Sequence, residues 1–218
     1  MKIENTSVMN LEGAIRGARN PLESWEKSDS WKDRSIGTFF FGQKDIDLMQ
    51  RLIKAGTSDS KFMRQIMVCM DVTAPMYWWS EFDTYKVATV ANSTSKMHKL
   101  ASTPITMDCF EMDDYEHLDD IMDEKSTTEY WYDFVMYLEE LRKAYNDTKD
   151  IRYWKELIRL LPESWLQKRT ITLDYATLRN QYFQRRNHKL TEWHTYCKWI
   201  ESLPYAKDLI CLEENVDK

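Results

Sequence analysis

Apolar residues recur three and four positions apart through most of the C-terminal half, and a chain patterned this way has to bury the faces of helices. Trp131, Phe134, Val135, Leu138, Leu141 and Tyr145 define one such stripe. The segment Ile151 to Leu161 predicts a second helix, stopped by Pro162. Asp174 is placed to cap a third that runs towards Arg186, and a fourth, Leu190 to Leu203, turns Trp193, Cys197, Ile200 and Leu203 inward. In the N-terminal half, residues 9–19 form a short helix and residues 20–35 a polar, Trp-containing linker. Asp45 to Ala55 follows as a helix capped by Asp45 and ended by Gly56. Two runs break the helical period. Gln65 to Thr73 has the length and β-branched content of a buried strand closed by Pro75, and Arg169 to Leu173 is a shorter extended run. Between them, Met76 to Leu100 lacks Gly and Pro; it predicts a helix opening on Tyr77-Trp78-Trp79 and then a polar turn at 91–95.

At 218 residues the chain fits a single domain spanning 1–218, large enough for a sizeable core. A net charge of −6 and no basic run longer than Arg185-Arg186 argue against duplex nucleic acid as a partner, because phosphate neutralisation needs many cations. A small anionic ligand stays open, since one or two buried Arg suffice for it. No apolar stretch approaches a membrane span and the first residues lack signal-peptide blocks, so a cytoplasmic location is expected. The four Cys, at 69, 109, 197 and 211, have no CxxC spacing and read as reduced, buried thiols. The nine Trp and twelve Tyr serve either core packing or stacking on planar ligands.

A nucleophile elbow, a P-loop, a dinucleotide Gly fingerprint and an HExxH pair are all missing, and with five Gly no Gly-rich loop can cradle a phosphate. The four His, at 98, 117, 188 and 194, do not pair on one helix, so no metal site is expected. Acidic residues crowd positions 107–124; without EF-hand spacing they read as a solvated lid or loop, placed at about 101–127. Two polar clusters stand out. One runs from Glu81 to His98; the other from Asp174 to His188, where Asn180 and Arg185 sit among Leu, Tyr and Phe. A guanidinium donates paired hydrogen bonds to a phosphate and an amide reads a ring edge, so these residues suit a nucleotide. Surface salt bridges and helix caps are the alternative use of the same residues.

In order and spacing the chain resembles the flavin-dependent thymidylate synthases over roughly residues 9–203. Ala74-Pro75 closes the strand as in that family, and Glu81-Phe82 stands where it has Gln and an aromatic. Asn92-Ser93-Thr94-Ser95 stands where it has NExS, and Leu161-Pro162 is followed at family spacing by Asp174, Leu178, Asn180 and Arg185. The resemblance implies an α+β fold with an antiparallel sheet packed with a helical bundle. By it, Arg185 contacts the nucleotide phosphate, Ser95 lies beside the pyrimidine, and Glu81 joins the nucleotide contacts. Lys86, Asn92, Asp174 and Asn180 are implied as cofactor-binding positions.

The family's chemistry transfers a one-carbon unit to carbon 5 of dUMP, with FAD as cofactor and NADPH and methylenetetrahydrofolate as cosubstrates, in homotetramers whose sites are shared between subunits. Several signature positions differ here. Tyr85 replaces the signature His, one or both signature Arg are replaced (Thr84 and Lys86, or Tyr85 and Val87, depending on the gap), Ser93 replaces Glu, and Met97-His98 replaces Arg-Tyr. Ile158 stands where a second phosphate-binding Arg is expected, beside Arg159. Two functions follow: one-carbon transfer to dUMP or a related pyrimidine nucleotide, or nucleotide binding on the same fold without flavin turnover. A third, purely structural role applies if aromatic side chains fill the site.

Overall fold

The helical stripes become helices nearly where their spacing puts them. A computed structural model describes residues 1–113 and 126–213. In chain order these hold β1 (Lys2–Met9), α1 (Leu11–Arg19), β2 (Trp31–Asp33), β3 (Thr38–Phe40), α2 (Gln43–Ala55), β4 (Met67–Pro75) and α3 (Met76–Phe82). There follow β5 (Val90–Ser93), α4 (Lys96–Lys99), α5 (Thr127–Thr148), α6 (Ile151–Leu160), β6 (Leu166–Asp174), α7 (Tyr175–Arg185), α8 (Thr191–Glu201) and α9 (Ala206–Leu209). Four strands form a sheet in the order β1-β4-β6-β5, and β2 pairs with β3 as an antiparallel hairpin. The architecture is mixed helix and antiparallel sheet, the fold class that the resemblance implies.

The chain divides into two compact units. The first comprises Met1–Lys2, Val72–Thr84 and Asn92–Arg169; the second comprises Ile3–Asp71, Tyr85–Ala91 and Thr170–Lys218. In the first, α5 buries Val135, Leu138 and Leu141 together with Leu157 of α6 and with Leu100, Ile105 and Phe110. α5 starts at a capping box: the Ser126 hydroxyl accepts from the Glu129 N–H, and the Glu129 carboxylate accepts from the Ser126 N–H. Of the expected acidic lid, residues 114–125 lie outside the described residues, while Ile105 and Phe110, ahead of them, belong to this core.

In the second unit α7 and α8 bury Tyr175, Leu178, Trp193, Tyr196 and Ile200, and α1 and α2 bury Ala14, Ile15, Met49 and Ile53. This core also carries charge. Arg19 Nε donates to Asp45 Oδ1 at 2.7 Å, and the Ser28 and Ser30 hydroxyls donate to the other carboxylate oxygen. Arg19 is 6% exposed and Asp45 not at all.

Four expectations are corrected. Asp45 does not cap α2: the helix begins two residues earlier behind Gly42, Arg19 and the serines occupy the Asp45 carboxylate, and Asp29 instead accepts from the Lys44 and Asp45 N–H groups. The helix after Pro75 ends at Phe82, and the expected polar turn contains strand β5; all four of its residues are exposed, as the end of a sheet allows. The linker 20–35 contains the start of a hairpin, in which Trp31 faces Phe40 with stacked rings 4.8 Å apart and Gly37 turns at a φ of 70°. Finally, only Cys197 of the four free thiols is buried; Cys69, Cys109 and Cys211 are half-buried.

Candidate functional site

Helix α7 organises the second polar cluster. Its cap is Asp174, 2% exposed, whose carboxylate accepts from the Thr177 N–H at 2.7 Å. Over this turn lies the segment that follows α3: the Thr177 hydroxyl reaches the Val87 carbonyl at 3.4 Å. At the other end of the helix, Arg185 is half-buried. Its Nε donates to the Tyr85 hydroxyl at 2.8 Å, and its guanidinium carbon sits 4.8 Å from the Trp193 ring centroid and 5.5 Å from that of Tyr85. Cation–π attraction and the hydrogen bond to Tyr85 therefore help to hold the guanidinium in one orientation.

The hydrogen bonds continue from there. Tyr85 donates to Gln184 Oε1 at 2.9 Å, and Gln184 Nε2 donates to Asn180 Oδ1 at 2.8 Å. Two residues singled out in the sequence, Arg185 and Asn180, are thus ends of one chain of polar contacts. Lys86, next to Tyr85, is exposed. Behind α7, the wholly buried Tyr196 donates to Gln181 Oε1 at 2.7 Å; desolvation drives its phenol well above the ordinary range, so it stays neutral. Burial likewise pushes the Cys197 thiol up to about 12, with the Glu201 carboxylate as a lesser cause, which makes it an inert packing group.

The remaining sequence candidates belong to the first unit. Ser95 is half-buried and caps the single-turn α4, accepting from the His98 N–H at 3.3 Å. Asn92 is exposed on β5, and Glu81 is half-buried in α3. A cleft of about 130 Å³ includes Ser95, Lys96, Lys99, Cys109 and Trp165 along its wall, which is water-scale space rather than nucleotide-scale. Ile158 packs on the apolar cluster, and Arg159 is exposed and pairs with Glu156.

Sequence reasoning missed the partners of Arg185. In the sequence Tyr85 reads only as the substitute for a signature His or Arg, and Trp193 only as a core residue. Also missed was a polar cluster of the first unit, where Arg169 lies 4.2 Å over the Trp79 ring, donates to Asp83 at 2.7 Å and reaches Gln167 at 3.0 Å. Among the described residues there is no group of His, Cys, Asp and Glu that could hold a metal ion, and no helix is long and apolar enough to cross a membrane.

Solved structures decide the architecture. The flavin-dependent thymidylate synthase ThyX from Helicobacter pylori, complexed with FAD and dUMP, superposes with a TM-score of 0.67 at 18% identity, over 98% of this chain and 100% of that one. The fold is that of the flavin-dependent thymidylate synthases. A second Helicobacter pylori ThyX structure with FAD and dUMP gives a TM-score of 0.66, also at 18% identity, covering 96% of this chain and 97% of the other. At this identity the likeness to ThyX concerns the fold. No protein-family model and no curated protein sequence matches the chain.

Proposed function

We propose that the chain binds a pyrimidine nucleoside monophosphate, with dUMP as the first candidate and Arg185 on its phosphate. The observation that carries this reading is the fixed guanidinium: Tyr85 holds it by Nε, Trp193 lies against it, and Gln184 ties the arrangement to Asn180. A cation already oriented loses little freedom on meeting an anion, so more of the interaction appears as affinity. Ser95 and Glu81 are further proposed nucleotide contacts, and a homotetramer is the proposed assembly.

The residues present fit FAD poorly. Of the positions that the resemblance assigns to the cofactor, Asp174 is a buried helix cap, Asn180 accepts from Gln184, Asn92 lies on an exposed strand, and Lys86 alone is cationic. A pyrophosphate needs more charge-assisted donors than this set supplies. Binding without flavin turnover is therefore preferred. One-carbon transfer to dUMP is the second reading, and what supports it is the FAD and dUMP held together on this fold in the two Helicobacter pylori structures.

Thermal unfolding tests the proposal. dUMP at a hundred times its dissociation constant stabilises by about 2.7 kcal/mol, which for a chain of this size raises Tm by about 5–10 °C. Arg185→Ala is expected to abolish that rise. An Arg185→Ala chain that responds to dUMP as the wild type does would refute the assignment. Added FAD is expected to leave the purified protein colourless after desalting, and retained yellow flavin would restore the second reading.

A further inference from the structure

A cleft of about 1010 Å³ lies wholly within the second unit and shares no lining residue with the Arg185 network. Its walls are β1, the first half of α1, the β2–β3 hairpin, and the end of α8 with the turn that follows it. The volume is at the upper end of what small-molecule sites use.

Four half-buried aromatic side chains line it, Phe39, Phe40, Trp199 and Tyr205, and each is braced by a neighbour. Trp199 stacks on the wholly buried Tyr196 with centroids 5.3 Å apart, and its Nε1 donates to the Thr6 hydroxyl at 3.0 Å. Phe40 stacks on Trp31, and Phe39 meets Phe41 edge-on at 5.8 Å. Tyr205 packs on Phe41 at 4.7 Å, and its hydroxyl accepts from the Phe41 N–H at 2.9 Å. Tyr205 does so at a φ of 58°, a left-handed conformation that is costly for a bulky residue and persists only where its surroundings hold it. Rings fixed in this way present apolar faces at little further cost in side-chain freedom.

The charges on the same walls are uncommitted. Arg16 and Lys32 are exposed, and among the described residues neither side chain has a hydrogen-bond, ion-pair or ring partner. Helix α1 thus treats its two arginines differently: Asp45 holds Arg19, whereas Arg16 faces the cleft without a carboxylate. Glu12, the one acidic side chain among the described lining residues, precedes Arg16 by four residues, the favourable spacing for a helical ion pair, yet the two do not pair.

We propose that this cleft binds a small aromatic anion, a planar ring packed against the aromatic wall with a carboxylate or phosphate held by Arg16 and Lys32. A guanidinium and an ammonium serve either anion, and the braced rings cover an apolar plane that a bare anion lacks. The site is independent of the Arg185 reading.

Titration calorimetry on the full chain tests this with AMP and indole-3-acetate as the ring-bearing phosphate and carboxylate, and with adenosine, indole and inorganic phosphate as the corresponding parts. Arg16 and Lys32 are exposed, so Arg16→Ala and Lys32→Ala leave the fold intact. At least one of the two anions is expected to bind wild type, and each substitution to weaken it by about three- to tenfold. The neutral rings and inorganic phosphate are expected to bind more weakly than the whole anions. Binding of AMP alone assigns a phosphate as the anionic group, binding of indole-3-acetate alone a carboxylate, and binding of both the wider class. No binding of either anion, binding indifferent to residues 16 and 32, or a part that binds as tightly as its whole anion overturns the proposal. Each titration is repeated on Arg185→Ala with dUMP added to the probes. Failure of the nucleotide reading shows as dUMP binding untouched by that change, whereas AMP binding that falls with residue 185 and ignores residues 16 and 32 counts against this cleft.

Discussion

The two units solve the same packing problem with different materials. The first closes α5 and α6 over Leu138, Leu141, Leu157, Ile105 and Phe110, and Gln167 is its buried polar side chain among the described residues. The second buries Arg19, Ser24, Asp45, Asp174, Gln181 and Glu192 among its apolar residues. Apolar packing is tolerant, because neighbouring side chains can partly collapse around a loss. Buried polar pairs are not, because each partner is left with a desolvated charge once the other is gone. Buried polarity thus makes the second unit, which carries Arg185, the more brittle of the two.

The largest expected effect breaks this comparison most directly. Asp45→Ala strands the Arg19 guanidinium and is predicted to cost about 3–5 kcal/mol, or to prevent folding, in urea unfolding. A loss under about 1 kcal/mol would mean that the second unit tolerates charge as easily as the first tolerates volume. Leu138→Ala, wholly buried in the apolar cluster, is predicted to cost about 2–5 kcal/mol while leaving dUMP binding intact.

Next comes an ion pair of the first unit. Arg142 donates twice to Glu139, at 2.7 and 2.6 Å, the Ile105 N–H adds a third bond, and the Arg142 and Asn146 side chains both reach the Ala101 carbonyl. These contacts, Arg142 first, hold the Glu139 carboxyl below its ordinary range. A depressed carboxyl contributes its full stability above the unfolded value of about 4.3 and loses it as the pH falls through the lower folded value. Glu139→Gln is therefore predicted to cost about 1.5–3 kcal/mol at neutral pH, with the gap to wild type narrowing below about pH 4.3. A gap that is flat with pH would show that the charge contributes nothing. The smallest effect is that of Lys143→Ala: its pair with Glu140 is solvent-exposed, so no measurable change in Tm is expected.

The same contrast governs how much could be read from sequence. Helices α5, α6 and α8 were legible because their apolar residues repeat at a period that only a helix satisfies, and α7 because Asp174 announces its start. β1, β5 and the hairpin were not. β5 is exposed along its whole length, β1 at five of its eight residues, and the hairpin strands are three residues each, so none writes a burial pattern into its residues. At the site, Arg185 and Asn180 were visible as polar residues in an apolar helix. Their connection was not, because it runs through Tyr85, 100 residues from Arg185 in sequence, and tertiary pairing leaves no local signal. Asp45 shows the opposite failure: an acidic residue at a helix start fits the capping pattern, yet a buried cation from another helix claimed it.

Trp193 is wholly buried, with the Arg185 guanidinium 4.8 Å from its centroid and the Tyr196 ring 5.6 Å away. An indole's emission responds to the electric field across it, and here one close source of field is the cation assigned to phosphate. The molecule therefore contains its own optical gauge of that charge, which a Trp193→Phe difference spectrum separates from the signal of the other tryptophans.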